Sequence, residues 1–185
     1  MELPMSSAKP STKPSLAAKP GQRGIDPRGP RFGAGITAAL LLVVVALSLL
    51  TPVGTTAISR ASEPGFIVFA IITILFGWGA IAGIQRHPYG AVFRALVSPR
   101  LSPPTELEDP VPPTFSQGVG LVITLAGVTL HLLGVPFGLL ITASAAFIAA
   151  FLNSVFGYCL GCQIYLLLLR AGILGRTAAL TTRDP

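Results

Sequence analysis

Residues 116–157 read SQGVGLVITLAGVTLHLLGVPFGLLITASAAFIAAFLNSVFG, with no Asp, Glu, Lys or Arg among them. They are the middle of a charge-free run of 60 residues between Asp109 and Arg170. A helix needs roughly 20 apolar residues to cross the hydrocarbon core of a bilayer, so this run holds two crossings and a turn. Gly134-Val135-Pro136-Phe137-Gly138 supplies the turn chemistry near its middle. Two shorter runs precede it, 28 residues between Arg31 and Arg60 and 22 between Glu63 and Arg86. Each holds one crossing. None of the runs alternates apolar and polar residues, as the strands of a membrane barrel would. The expected fold is an all-α membrane protein whose four transmembrane helices form a bundle, with spans at about 34–54, 65–85, 116–134 and 139–157 or a little beyond.

Composition agrees. The 185 residues are 51% hydrophobic and 11% charged, with a mean hydropathy of +0.72; an average soluble domain is about 25% charged. The net charge of +6 does not point to nucleic acid, because the basic residues flank the spans instead of covering a folded face. Six Lys and Arg precede the first span, one lies between spans one and two, three between two and three, none between three and four, and three after four. With alternate segments on one side the split is 12 to 1, and positive charge marks the cytoplasmic side. Both termini and the central loop are therefore expected inside, and an even number of spans agrees by placing both termini on one side. The first run exceeds the roughly 7–15 apolar residues of a signal-peptide core, so it is expected to remain as a span.

Residues 1–24 carry Lys9, Lys13 and Lys19 among Pro, Ser and Ala, a composition expected to stay disordered. Residues 25–170 make the membrane domain and 171–185 a cytoplasmic tail. The only sizeable loop, 86–114, opens with His87-Pro88-Tyr89-Gly90. Val92, Phe93, Leu96 and Val97 fall on one side of a short helix with Arg94 opposite, the pattern of a helix lying in the membrane interface. Six prolines from Pro99 to Pro113 surround Glu106, Glu108 and Asp109 and oppose a long helix there. Trp78 and Tyr89 read as interface anchors.

Within the spans, His131 falls near the outer end of the third. It reads either as a proton-handling or quinone-contacting group, or as a residue hydrogen-bonding at the interface beside Gly134. Asn153, deeper in the fourth, is expected to bond a neighbouring helix. Gly79 and Gly83 have the spacing that lets helices approach closely. No span contains a charged residue to form an ion path, which argues against a transporter.

The chain has two cysteines, and they form Cys159-Leu160-Gly161-Cys162. On a helix, positions i and i+3 share a face, close enough for a disulfide if the geometry is met. One thiol can then attack a substrate sulfur while the other resolves the intermediate. The apolar segment 139–169 would be roughly 46 Å long as one helix, more than the ~30 Å core, so it tilts strongly or breaks. A break near Gly157 would start a new helix just before Cys159, lower its thiol pKa and put the pair at the cytoplasmic edge. Two other readings stay open. Free cysteine packs as a small hydrophobe. A metal site needs about four ligands, and His87 is the only other one on that side, so no metal is assigned.

Three stretches carry a resemblance. They are Asp26-Pro27-Arg28-Gly29-Pro30-Arg31-Phe32; the loop from Pro88-Tyr89-Gly90 through Pro99-Arg100-Leu101 and Glu108-Asp109-Pro110 to Pro112-Pro113-Thr114-Phe115-Ser116-Gln117; and Leu152-Asn153-Ser154-Val155-Phe156-Gly157-Tyr158-Cys159-Leu160-Gly161-Cys162 with Tyr165. In these the chain resembles the bacterial, chiefly actinobacterial, membrane family called domain of unknown function 4395, over about residues 25–170. The resemblance implies a bacterial plasma-membrane protein and an association with thioredoxin-like or sulfurtransferase proteins. The chain departs from the family's usual pattern at Thr114 and Ser116, where Arg and Ala are expected. If that Arg holds a partner or a phosphate, this chain lacks the contact.

Three functions follow as expectations. In the first, Cys159 and Cys162 form a membrane thiol-redox or sulfur-relay pair, with Cys159 attacking and Cys162 resolving, supported by Asn153, Gly157, Gly161 and Tyr165. Its partner is a cytoplasmic thioredoxin-like or sulfurtransferase protein. In the second, the chain is a non-catalytic anchor or assembly factor that holds a partner through Arg28, Arg31, Arg100, Glu108 and Asp109. In the third, similar to four-helix disulfide-generating membrane enzymes, it is a quinone-linked thiol oxidoreductase; quinone is the one cofactor any of these readings invokes. A homo-oligomer is compatible with all three.

Overall fold

The computed structural model describes residues 16–18, 21 and 23–174. Four long helices form the bundle: α1 (Arg28–Leu50), α3 (Pro64–Ala82), α5 (Val111–Leu132) and α6 (Gly138–Phe156). Each is long and apolar enough to cross a membrane. A short α2 (Ala57–Ala61) precedes α3, α4 (Pro88–Val92) opens the central loop, and α7 (Leu160–Arg170) follows α6. The chain runs up, down, up, down, as short connections between antiparallel neighbours dictate. α1 packs chiefly on α6 and α3 chiefly on α5, while α1–α3 and α5–α6 contacts close the ring. Large apolar side chains face outward from every span, among them Leu42, Ile81 (88% exposed), Val122 and Ile141. Such a surface is stable against lipid. This is a multi-pass membrane protein.

The helix limits show how proline sets them. α5 begins at Val111, five residues before the expected start, and takes in Pro112 and Pro113, both buried. Proline is tolerated in a first turn, where its missing N–H has no helical partner to lose. α1 likewise begins at Arg28, with Pro30 in its first turn. It stops at Leu50 because Thr51, which precedes Pro52, is extended (φ −110°, ψ 134°).

The core is a cluster of Leu41 and Val44 from α1, Phe66, Phe69 and Ile72 from α3, and Leu139, Ala143 and Ala146 from α6. It lies toward the end of the bundle that carries the α5–α6 turn. There Arg60 of α2 donates from Nη2 to the Leu132 carbonyl at 2.8 Å, satisfying an orphan acceptor at the end of α5. His131 is 4% exposed, stacked on Phe66, with Nε2 3.2 Å from Glu63 Oε2. It thus faces the N-cap residue of α3 from within the protein. Gly79 is buried, and a Cβ there would fall 2.7 Å from Gln117 Cγ, so it does allow α3 and α5 to meet closely. Gly83 does not share that role: the nearest atom to a Cβ there is 4.0 Å away.

The opposite end carries the N-terminal segment and the central loop. The expected interfacial helix is there as α4 followed by a π-helical turn, Phe93–Val97, and a 3-10 turn, Ser98–Arg100. Its apolar residues do not share one side. Phe93 is buried against Gly29 and Phe32 of α1, whereas Val92 and Leu96 are exposed. Residues 16–18 are not a free tail. Ala18 N–H donates to Leu107 O, Ile25 and Glu108 exchange two backbone bonds, and Asp109 N–H donates to Leu16 O, all at 2.8–2.9 Å. The N-terminal segment is thereby strapped along the loop. The remainder of the tail, residues 1–15 and 19, 20 and 22, and residues 175–185 lie outside the described residues.

Candidate functional site

α6 stops at Phe156. Gly157 takes the left-handed conformation (φ 66°, ψ 19°), and its N–H caps the helix on Asn153 O. A residue with a Cβ is strained there. The long apolar segment therefore breaks where its excess length over the bilayer requires, and Cys159 becomes the N-cap of α7. Its extended backbone (φ −83°, ψ 101°) leaves the side chain free to turn back over the first turn. The two cysteines thus do not both sit on a helix face, as the spacing alone suggested. They stand in the relation of a cap to the third helical residue, and Cys162 N–H donates to Cys159 Sγ at 3.3 Å.

The sulfurs are joined as a disulfide, with a Cα–Cα separation of 5.2 Å. Cys162 is buried, 3% exposed, and Cys159 is half-buried. Ser116 of α5 lies 3.4 Å from Cys159 Sγ through its hydroxyl. Since the bonded sulfur carries no hydrogen, the hydroxyl is the donor. Gly161 rests on Ser116 so closely that an added Cβ would overlap its backbone. α7 packs along the first turns of α5, with Tyr165 against Phe115 at 5.5 Å between ring centroids. Tyr165 is thus a fastener for α7 and does not line the space beside the sulfurs.

That space is a cavity of about 680 Å³ inside the bundle, and both cysteines line it. Ala145, Ala149 and Ala150 of α6 form one wall, and Ile72, Leu75 and Phe76 of α3 another. Polar residues also line the cavity: Ser116, which touches Cys159, and Gln117, Asn153 and Arg31. Asn153 does not bond a neighbouring helix; among the described residues its amide has no hydrogen-bond partner, and it faces the cavity. Arg31 lies over Gly157, where a Cβ would fall 2.5 Å from its Cζ and Nη2.

The five charged residues expected to hold a partner divide. Arg31 and Glu108 line the cavity. Burial pushes the Glu108 carboxyl up from its ordinary value, with the Arg31 charge pulling it back down and Asp26 pushing it up. Arg28 is engaged by Asp26 at 2.7 Å and by Ser102 O at 2.9 Å, tying the N-terminal segment to the loop. The Arg28 hydrogen bonds hold the Asp26 carboxyl below its ordinary value, against a smaller upward push from burial. Arg100 donates to Leu96 O, and Asp109 accepts the Val111 N–H at 2.9 Å at the start of α5.

His87 caps α4 by accepting the Tyr89 N–H on Nδ1, and its Nε2 meets Leu75 O at 3.2 Å. Burial pushes its pKa below the ordinary histidine value, more than the Leu75 carbonyl raises it. Tyr89 is half-buried beside it and lines the cavity, so it anchors the loop to the bundle more than to the interface.

The chain belongs to the DUF4395 family. The profile described as a domain of unknown function (DUF4395) matches residues 25–170, the described helical domain from the strap to the end of α7. No curated protein and no solved structure matches the chain. Both positions at which this DUF4395 chain departs from the expected pattern lie at the loop end of the bundle. Ser116 touches the disulfide, and Thr114 holds the loop by accepting the Ile84 N–H at 3.1 Å. Ser116 drew notice in the sequence only as a departure; nothing local marks it as a neighbour of Cys159. Gln117 and Tyr89, too, gave no signal as cavity residues.

Proposed function

We propose that this protein is a membrane thiol-redox or sulfur-relay component that works through Cys159 and Cys162. The observation that carries the reading is the placement of the pair at the cap and first turn of α7, with both cysteines lining the cavity. A purely packing pair needs neither. In the reduced state the N-cap position stabilises a thiolate on Cys159, because the free N–H groups of the first turn and the helix dipole favour negative charge there. Cys159 is also the less buried cysteine, so it attacks and Cys162 resolves. The 12-to-1 distribution of basic residues supports a cytoplasmic placement of the loop end. The partner that sets the redox state of the pair is then a cytoplasmic thioredoxin-like or sulfurtransferase protein.

Acid-quenched alkylation followed by non-reducing gels and mass spectrometry tests this. Mild oxidant should close the internal disulfide, and a thioredoxin-type reductant should open it. Cys162→Ser should accumulate a mixed disulfide on Cys159, and Cys159→Ser should not. Full alkylation of both thiols under every oxidant, with no adduct in either variant, would assign the pair to packing.

A further inference from the structure

We propose that the cavity is a binding site for small thiols that carry a carboxylate, and that Arg31 selects them. This names the substrate of the thiol chemistry set out above and rests on it: the protein partner sets the redox state of the pair, and the small thiol is what the pair acts on.

Size is the first argument. Small-molecule sites run from roughly 300 to 1,000 Å³, and this cavity has about 680 Å³. A folded protein can reach only the exposed part of Cys159, whereas the cavity itself has the size for a small molecule. Charge is the second. Arg31 lines the cavity with no hydrogen bond or ion pair to any described residue. It lies against Gly157, two residues before Cys159 in the chain, at the end of the cavity that carries the pair. The other cations near the mouth are Arg23 and Arg94. Of the two carboxylates there, Asp26 is already engaged by Arg28, which leaves Glu108. The balance at the mouth is positive, and a guanidinium recognises a carboxylate through paired N–H donors. An uncharged quinone offers Arg31 no carboxylate to pair with, leaving it only the longer-range charge of Glu108. Hydrogen bonding is the third. Asn153 and Gln117 offer amides to the remaining polar atoms of a ligand, and the alanine wall of α6 leaves room for its carbon skeleton.

The chemistry balances from the disulfide state. A bound thiolate attacks Cys159 Sγ. The Cys159–Cys162 bond breaks, its electron pair leaves on Cys162 Sγ, and that sulfur takes up a proton from solvent. A second thiolate then attacks the ligand sulfur of the mixed disulfide. This releases a small-molecule disulfide and leaves Cys159 to be protonated. Two thiols are oxidised to one disulfide, two protein thiols are formed, and the two protons lost by the ligands equal the two gained by the cysteines.

The test uses the purified full chain in nanodiscs and follows opening of the disulfide by alkylation and mass. Three small thiols are compared: mercaptopropionate, mercaptoethanol and cysteamine. Each rate, at matched thiolate concentration, is divided by that of the same thiol with a free small-molecule disulfide, which removes the intrinsic nucleophilicity that rises with thiol pKa. Hydrogen bonds to a charged group are worth a tenfold effect or more, so mercaptopropionate should react about tenfold faster than cysteamine, with mercaptoethanol between them. Arg31→Gln should abolish the order, and Arg31→Lys should keep its direction. Equal rates in the wild type, or an unchanged order in Arg31→Gln, would overturn the proposal while leaving the thiol chemistry standing. Binding is read separately with S-methylglutathione, which has carboxylates and no free thiol, on a Cys159→Ser/Cys162→Ser background. Arg31-dependent binding there, combined with a disulfide that no thiol opens, would support the site and overturn the redox reading. No binding there, with or without Arg31, would count against the site itself.

Discussion

Toward the α5–α6 turn, Phe66, Phe69 and Ile72 of α3 close against Leu41 and Val44 of α1 and against Leu139, Ala143 and Ala146 of α6. Toward the N-terminal strap, the same four helices stand around about 680 Å³ of open volume. Ile72 and Ala146 belong to both regions and mark the boundary. The difference comes from what faces inward. In the closed half, aromatic and branched side chains of α1 and α3 fill the space over the small residues of α6. In the open half, Ala145, Ala149 and Ala150 are too short to fill the space in front of the Ile72, Leu75 and Phe76 wall, and polar groups take several of the other lining positions. Membrane helices associate mainly through packing contacts, so the closed half holds the bundle together and the open half is free to bind.

The sharpest way to break this comparison is to hollow the closed half. Phe69 is fully buried, and Phe69→Ala should cost about 3 kcal/mol or more of bundle stability, measured by denaturant unfolding in detergent. A loss below about 1 kcal/mol would show that the closed half does not carry the bundle. Next comes the break between α6 and α7. Gly157→Ala places a Cβ on a left-handed residue, at about 1–2 kcal/mol, and drives it into the Arg31 guanidinium. A lowered melting temperature together with slower opening of the disulfide is expected; a change in neither would mean that the break is not needed.

A smaller effect follows from acid. Nδ1 of His87 accepts the Tyr89 N–H, so it holds that bond only while unprotonated. Its folded pKa lies below the ordinary value of 6.5. Between the two values the unfolded ring binds more protons, so this stabilisation is complete above the ordinary value and is lost as pH falls toward the folded one. Hydrogen-exchange protection over residues 87–93 should therefore weaken on going from about pH 7 to about pH 5, and His87→Asn should flatten the response. The smallest effect is expected from filling the open half. Ala149→Leu should change stability by less than about 1 kcal/mol, because it grows into vacant volume and not into a packed core, yet it should slow reaction with the small thiols. A destabilisation as large as that of Phe69→Ala would mean that the two halves are packed alike.

The spans were legible because absence of charge over 20 or more residues leaves few alternatives to a membrane helix. Their starts were not, since Pro112 and Pro113 read as helix-breaking until the first-turn exception is applied. Length alone left tilt or a break open for the last apolar segment, and the left-handed Gly157 is what decides for the break. The cavity was not legible. Alanines 145, 149 and 150 look like those of any span, and what they face is decided by α1 and α3, far away in sequence. The same holds for Arg31, whose position over Gly157 joins residues at opposite ends of the domain, and for Ser116, which the packing of α7 on α5 brings to the sulfur. Asn153 misled for a related reason. An amide in a span normally seeks a helix partner, and here a cavity takes that place.

The strap formed by Leu16, Ala18 and Ile25 along Leu107–Asp109 has a consequence for biosynthesis. Its backbone partners lie about ninety positions downstream, so when the first two spans have entered the bilayer the strap still has nothing to pair with. Pairing of such distant segments comes late, after local helices have formed. The mouth of the cavity is therefore finished only after the central loop has left the ribosome, and a nascent chain arrested between α3 and α5 would leave that end of the protein open.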